Sequence, residues 1–113
     1  MIMNEIEPPA AWRRICRFDE IPSLGARIVE QDQARGGNIA IFRSSGDRVF
    51  ALLDRCPHKG GPLSQGIVFD DKVACPLHNW TIDLASGEAV APDRGCARVF
   101  PVKIEHGYVF VRF

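Results

Sequence analysis

The sequence contains no apolar run approaching the roughly 18 residues of a membrane-spanning helix, so no segment reads as a membrane span. It has no charge excess, because 14 Lys and Arg balance 14 Asp and Glu. No chain-wide field therefore draws it to nucleic acid or to an anionic membrane, and neither is expected as a partner. The opening stretch MIMNEIEPPAAW is acidic and proline-containing and lacks the basic-then-apolar shape of a secretory leader. The expectation is a cytoplasmic protein whose thiols stay reduced, which favours metal ligation over disulfides for its four cysteines. No window carries a 3.6-residue apolar period, and there are no internal repeats or low-complexity segments.

A chain of 113 residues with 46% apolar and 25% charged residues fits one globular domain. Eight prolines and ten glycines punctuate short apolar runs, which predicts an all-β sandwich or barrel. Residues 1–11 read as a loose tail. Strands are predicted at Trp12 to Cys16 and Ala26 to Glu30, with a short helical turn at Asp19 to Pro22 between them. Asn38 to Arg43 and Arg48 to Leu53 form a hairpin through Ser44-Ser45-Gly46-Asp47, apolar on both faces and therefore buried between layers. Further hairpins are expected at Val68 to Cys75, turning at Asp70-Asp71, and at Trp80 to Val90, turning at Ala85-Ser86-Gly87. The last joins Ala97 to Ile104 with Tyr108 to Phe113 through Glu105-His106-Gly107.

The chemistry concentrates between Cys56 and His78. Cys56 and His58 form a C-x-H pair, Cys75 and His78 a C-x-x-H pair, and sixteen residues separate the two. Tetrahedral zinc accepts two Cys and two His, but zinc fingers group like ligands at each end. Here each loop supplies one thiolate and one imidazole, a division that suits a two-iron cluster with both cysteines on one iron and both histidines on the other. Pro57 and Pro76 fix the path of the chain after each cysteine. Gly60, Gly61 and Gly66 permit close backbone approach, so that peptide N–H groups could point at the sulfurs. Pro62 and Pro92 are candidates for apolar cover. No nucleophile, acid–base pair or nucleotide loop lies nearby, so the isolated chain is expected to transfer electrons and convert no substrate.

The strings CPHKGGPLSQGIV and CPLHNWTIDLASGEAVAPDRGC resemble the Rieske iron–sulfur domain family over residues 12–113. The resemblance implies a base of antiparallel sheets over residues 12–53 and 93–113. A small cluster-binding subdomain would be inserted at about 54–92. It implies a Rieske-type 2Fe–2S cluster held by Cys56, His58, Cys75 and His78, with the histidine-bound iron nearest a docking face. With two thiolates the oxidised cluster would be formally neutral and gain one negative charge on reduction.

Rieske proteins of the cytochrome bc type carry an extra disulfide-forming cysteine in each loop, where this chain has Gly61 and Leu77. They also place Ser and Tyr hydroxyls where it has Trp80 and Ile82. Without those donors the midpoint is expected near the low end of the family's range, about −150 mV. More finely, the strings are similar to the small subunits (NirD type) of NAD(P)H-dependent assimilatory nitrite reductase, which implies a large sirohaem- and flavin-containing partner subunit. The alternative is the ferredoxin component of a ring-hydroxylating dioxygenase, with a reductase and an oxygenase as partners. Outside the motif, Cys16 and Cys96 read as buried free thiols, His106 as a solvated turn residue, and Trp80 as cover for the second loop. Lys59 reads as a solvated residue that could border the docking face.

Overall fold

The computed structural model describes residues 10–77 and 79–113. Among them, ten strands pair in three sheets and every pairing is antiparallel, so the fold is all-β. The strands are β1 (Trp12–Arg17), β2 (Ala26–Val29), β3 (Ile39–Arg43), β4 (Val49–Leu53), β5 (Ile67–Phe69), β6 (Lys72–Ala74), β7 (Thr81–Asp83), β8 (Val99–Phe100), β9 (Val102–Glu105) and β10 (Tyr108–Arg112). Among the described residues helix is confined to single 3₁₀ turns, and none is long and apolar enough to cross a membrane.

The first sheet has the order β1-β10-β9, the second β2-β3-β4-β8 and the third β5-β6-β7. β3 explains how they pack. Its apolar residues occupy both faces, so each face buries into a different core. Ile39 and Ile41 join Cys16, Ile21, Ala51, Phe100, Val109 and Val111 beneath the first sheet. Ala40 and Phe42 join Leu52, Leu63, Val73, Ile82 and Leu84 toward the third. The thiols of Cys56 and Cys75 belong to this second core, so the site is rooted in packed apolar side chains. Each fully buried Leu, Ile or Phe there contributes roughly 1.5–3 kcal/mol.

Three local expectations change. Ala97 to Ile104 is not one strand. Val99–Phe100 pairs with β4, and the chain crosses at Pro101 to pair Val102–Glu105 with β10. Proline has no N–H for a ladder, so it marks the point where the chain changes sheets. Ala11, placed in the loose tail, exchanges backbone hydrogen bonds with Phe113 at 3.1 and 3.2 Å. Near Glu88, isolated bridges from Ile82 to Ala89 and from Glu88 to Cys96 replace a full strand.

The third sheet is tied back to the second. Arg48 reaches Asp71 at 2.6 Å, and Ser45 N–H donates to the Asp70 carbonyl at 3.3 Å. The turn at 70–71 is thereby held against the turn at 44–47. Asp70 sits at φ +50°, a left-handed conformation that Asp tolerates in turns.

Candidate metal centre

The first loop leaves β4 at Leu53 and returns at Ser64. Asp54 closes it: one carboxylate oxygen accepts the Ser64 N–H and the other the Ser64 hydroxyl, both at 2.7 Å. Within the loop, Cys56 N–H donates to the Gly61 carbonyl and Gly60 N–H to the Cys56 carbonyl, both at 2.8 Å. The backbone therefore wraps Cys56, which is 2% exposed. The second loop leaves β6 at Ala74, and Cys75 N–H donates to the Trp80 carbonyl at 2.7 Å. This bond closes residues 75–80 and leaves Cys75 fully buried.

The two loops place the thiols of Cys56 and Cys75 in one buried core, near enough for the Cys56 thiol to act on that of Cys75. Burial pushes the Cys75 thiol up from its ordinary value. The Leu77 N–H, directed at the Cys75 sulfur, works against that rise, and the Cys56 thiol adds to it. The expected glycine donors behave differently. Two of the three are committed elsewhere: Gly60 N–H serves the Cys56 carbonyl and Gly66 N–H the Leu63 carbonyl.

His58 is half-buried, with Nδ1 shielded from solvent. Its ring stacks on Trp80, centroids 4.3 Å apart and planes 5° from parallel. Trp80 thus fixes the imidazole of the first loop as well as closing the second. The third loop supports both: a Cβ at Gly95 would stand 3.0 Å from Pro57 Cβ and 3.6 Å from the Trp80 ring. Gly95 and the Asp54–Ser64 latch escaped sequence reasoning because their partners are set by tertiary contact. His78 lies outside the described residues.

The donor set suits an iron–sulfur group. Two adjacent buried thiols ionise at high cost unless a cation takes up their charge, and a thiolate-loving metal does so. The cradle is shaped to leave space there: a Cβ at Gly61 would meet Leu77 Cδ1 at 2.8 Å and Cys75 Sγ at 3.2 Å. Among the described residues, no three Cys, His, Asp or Glu side chains converge on a single-ion site. The two remaining cysteines differ from each other. Cys16 is buried as expected, but Cys96 is exposed, a correction to its reading as a core thiol.

Comparison with known proteins agrees with this geometry. Residues 11–101 match the family model of the Rieske [2Fe-2S] domain. The chain is 38% identical over 105 residues to the anthranilate 1,2-dioxygenase ferredoxin subunit of Burkholderia cepacia, covering 90% of this chain and 92% of that one. It is 35% identical over 112 residues to the nitrite reductase [NAD(P)H] large subunit of Klebsiella oxytoca, covering 92% of this chain but 11% of that one. It likewise spans only 24% of the vanillate O-demethylase oxygenase subunit of a Pseudomonas strain, at 38% identity over 78 residues and 65% of this chain. Among solved structures, a candidate NADH-dependent nitrite reductase small subunit from Mycobacterium tuberculosis superposes with a TM-score of 0.79 at 24% identity, covering 92% and 96% of the two chains, which speaks to the fold. The Sphingomonas yanoikuyae B1 ferredoxin superposes with a TM-score of 0.77 at 25% identity, covering 91% and 99%. With the family model spanning residues 11–101 and a ferredoxin relative matched over nearly its whole length, the chain belongs to the Rieske [2Fe-2S] domain family, and its cofactor is a Rieske-type 2Fe–2S cluster.

Proposed function

We propose that the chain is the electron-transfer subunit of a cytoplasmic NAD(P)H-dependent nitrite reductase, passing electrons within a complex built on a large sirohaem- and flavin-containing subunit. The observation that carries the electron-transfer role is the burial of Cys56 and Cys75 in one core, with the imidazole of His58 stacked on Trp80. The nitrite reductase assignment draws support from the match of 92% of this chain to an 11% segment of the Klebsiella oxytoca nitrite reductase large subunit. In this reading residues 54–92 form the cluster-binding unit. Cys56 and Cys75 would hold one iron, and His58 and His78 the other.

When bound, the cluster accepts and releases one electron at a time. The chain's own residues do the rest. The apolar core around Cys56 and Cys75 excludes water from the sulfurs. The Leu77 N–H stabilises negative charge on the Cys75 sulfur. Trp80 holds the His58 ring in one orientation, so its geometry need not reorganise at each transfer.

A second reading, the ferredoxin component of a ring-hydroxylating dioxygenase, is favoured by the 38% identity that spans 92% of the Burkholderia cepacia ferredoxin. The test is reconstitution. The purified, cluster-loaded chain is assayed for iron, acid-labile sulfide and a reduced-state EPR signal, then supplied to each partner system. Restored nitrite reduction with the sirohaem subunit supports the first reading. Restored oxygenase turnover with a dioxygenase and its reductase replaces it with the second. A colourless protein binding one zinc would refute both.

A further inference from the structure

Beside the first loop lies a cavity of about 500 Å³ whose lining residues include Arg55, His58, Lys59, Gly60, Cys96 and Arg98. Three of its lining residues are cationic and none is acidic, although the whole chain is neutral. Among the described residues, none of these three cations pairs with a carboxylate. The neighbouring carboxylate, Asp54, has both oxygens committed to Ser64. Two of the cations are held in place. The Arg98 guanidinium lies 4.8 Å from the Phe100 ring centroid, and the Arg55 side chain lies along Gly60, where a Cβ would stand 3.3 Å from its Nε.

Cations ordered by contact but left without a counter-charge are prepared for a partner that supplies one. We propose that this cavity receives an acidic segment of the redox partner, two or more Asp or Glu side chains seated against Arg55, Lys59 and Arg98. The inference rests on the reading of the chain as an electron carrier and adds how it docks. The cavity opens against His58, so an acidic segment seated there brings the partner's surface to the imidazole face through which an electron would leave. A second copy of this chain fits less well, because the same positive surface would face itself across a two-fold axis.

The binding arm of the test needs no knowledge of the partner. The cluster-loaded protein is titrated with a hexaglutamate peptide by calorimetry, beside two variants that lose equal charge. Arg55→Gln with Arg98→Gln should weaken binding by about tenfold or more. Arg14→Gln with Arg112→Gln, on the first sheet and outside the cavity, should leave it within about twofold. In parallel, electron exchange between the wild type and its partner should slow with added salt, and the Arg55/Arg98 variant should lose most of that salt dependence. The reduced-state EPR signal reports whether the loop stays intact. Where it changes in that variant, Lys59→Gln, an exposed side chain, takes its place in the same titration. Unchanged peptide binding in the cavity variant, or equal losses in both variants, overturns the proposal even if the wild type still supports nitrite reduction. Loss of exchange with every partner while the peptide still binds overturns the assigned function and leaves the cavity's acidic preference standing.

Discussion

Gly61 and Leu77 offer a sharp test of how the two loops fit. Gly61 does not sit at positive φ, so alanine there carries no backbone strain. The cost of Gly61→Ala is contact alone. The new methyl would stand 2.8 Å from Leu77 Cδ1, 2.9 Å from its Cγ and 3.2 Å from Cys75 Sγ. The first two distances are far inside van der Waals contact, and Cγ is too close to the backbone to swing clear. Overpacking of this kind costs about 1–3 kcal/mol. Leu77 is 42% exposed, so truncating it alone loses little burial, about 1 kcal/mol. The double variant Gly61→Ala, Leu77→Ala removes the close contact and leaves only the 3.2 Å approach to sulfur. It should be less destabilised than the sum of the single variants by about 1–2 kcal/mol, read by denaturant unfolding of the cluster-loaded protein in a double-mutant cycle. Iron and sulfide content should fall in Gly61→Ala and recover in the double variant. Additive effects within about 0.5 kcal/mol, or an unaffected Gly61→Ala protein, would refute the claim that the loops meet through this pair.

Three further outcomes follow from the site. Asp54→Ala removes both acceptors of the Ser64 latch and should cost about 2–4 kcal/mol with faster cluster loss, measured by unfolding and by iron release to a chelator; Asp54→Asn, keeping one acceptor, should cost about half as much. Trp80→Ala strips the ring from His58 and should lower stability by about 2 kcal/mol while shifting the cluster's midpoint, whereas Trp80→Phe should hold stability within about 1 kcal/mol; equal behaviour of the two would mean that stacking does not orient His58. A redox titration of the wild type should give a midpoint near about −150 mV, because Trp80 and Ile82 bring no hydroxyl to the cluster, and a strongly positive value would show that other donors set the potential.

The parts legible in the sequence were those fixed by local chemistry. Cys56, His58, Cys75 and His78 stand out because ligation demands particular atoms at particular spacings. The hairpin around Ser44 to Asp47 and the turn at Asp70-Asp71 stand out because turn residues punctuate apolar runs. The unpredicted parts depend on contacts between distant segments. Nothing near Pro101 announces that Val99 and Phe100 pair with β4 while Val102 pairs with β10. The bulge that shifts register between Arg14 and Cys16 has no glycine to mark it. Trp80 looked like local cover, and its stacking on His58 emerges only when the loops from β4 and β6 are brought together. Cys96 reads as apolar by residue type, yet it sits beside an irregular bridge at Glu88 and faces solvent.

The pairing of β1 with β10 also governs when this molecule can be completed. Arg13 Nε reaches the Phe113 carbonyl across 100 residues of chain. At a synthesis rate of about 5–20 residues per second, β1 leaves the ribosome and waits roughly 5–20 s before the strand that shelters it exists. During that interval Cys16 lacks the neighbour Val109 that buries it, so the core beneath the first sheet is the last to close. The core that holds Cys56 and Cys75 draws on no residue after Ala97, so the floor of the site can close while β1 still presents a bare edge.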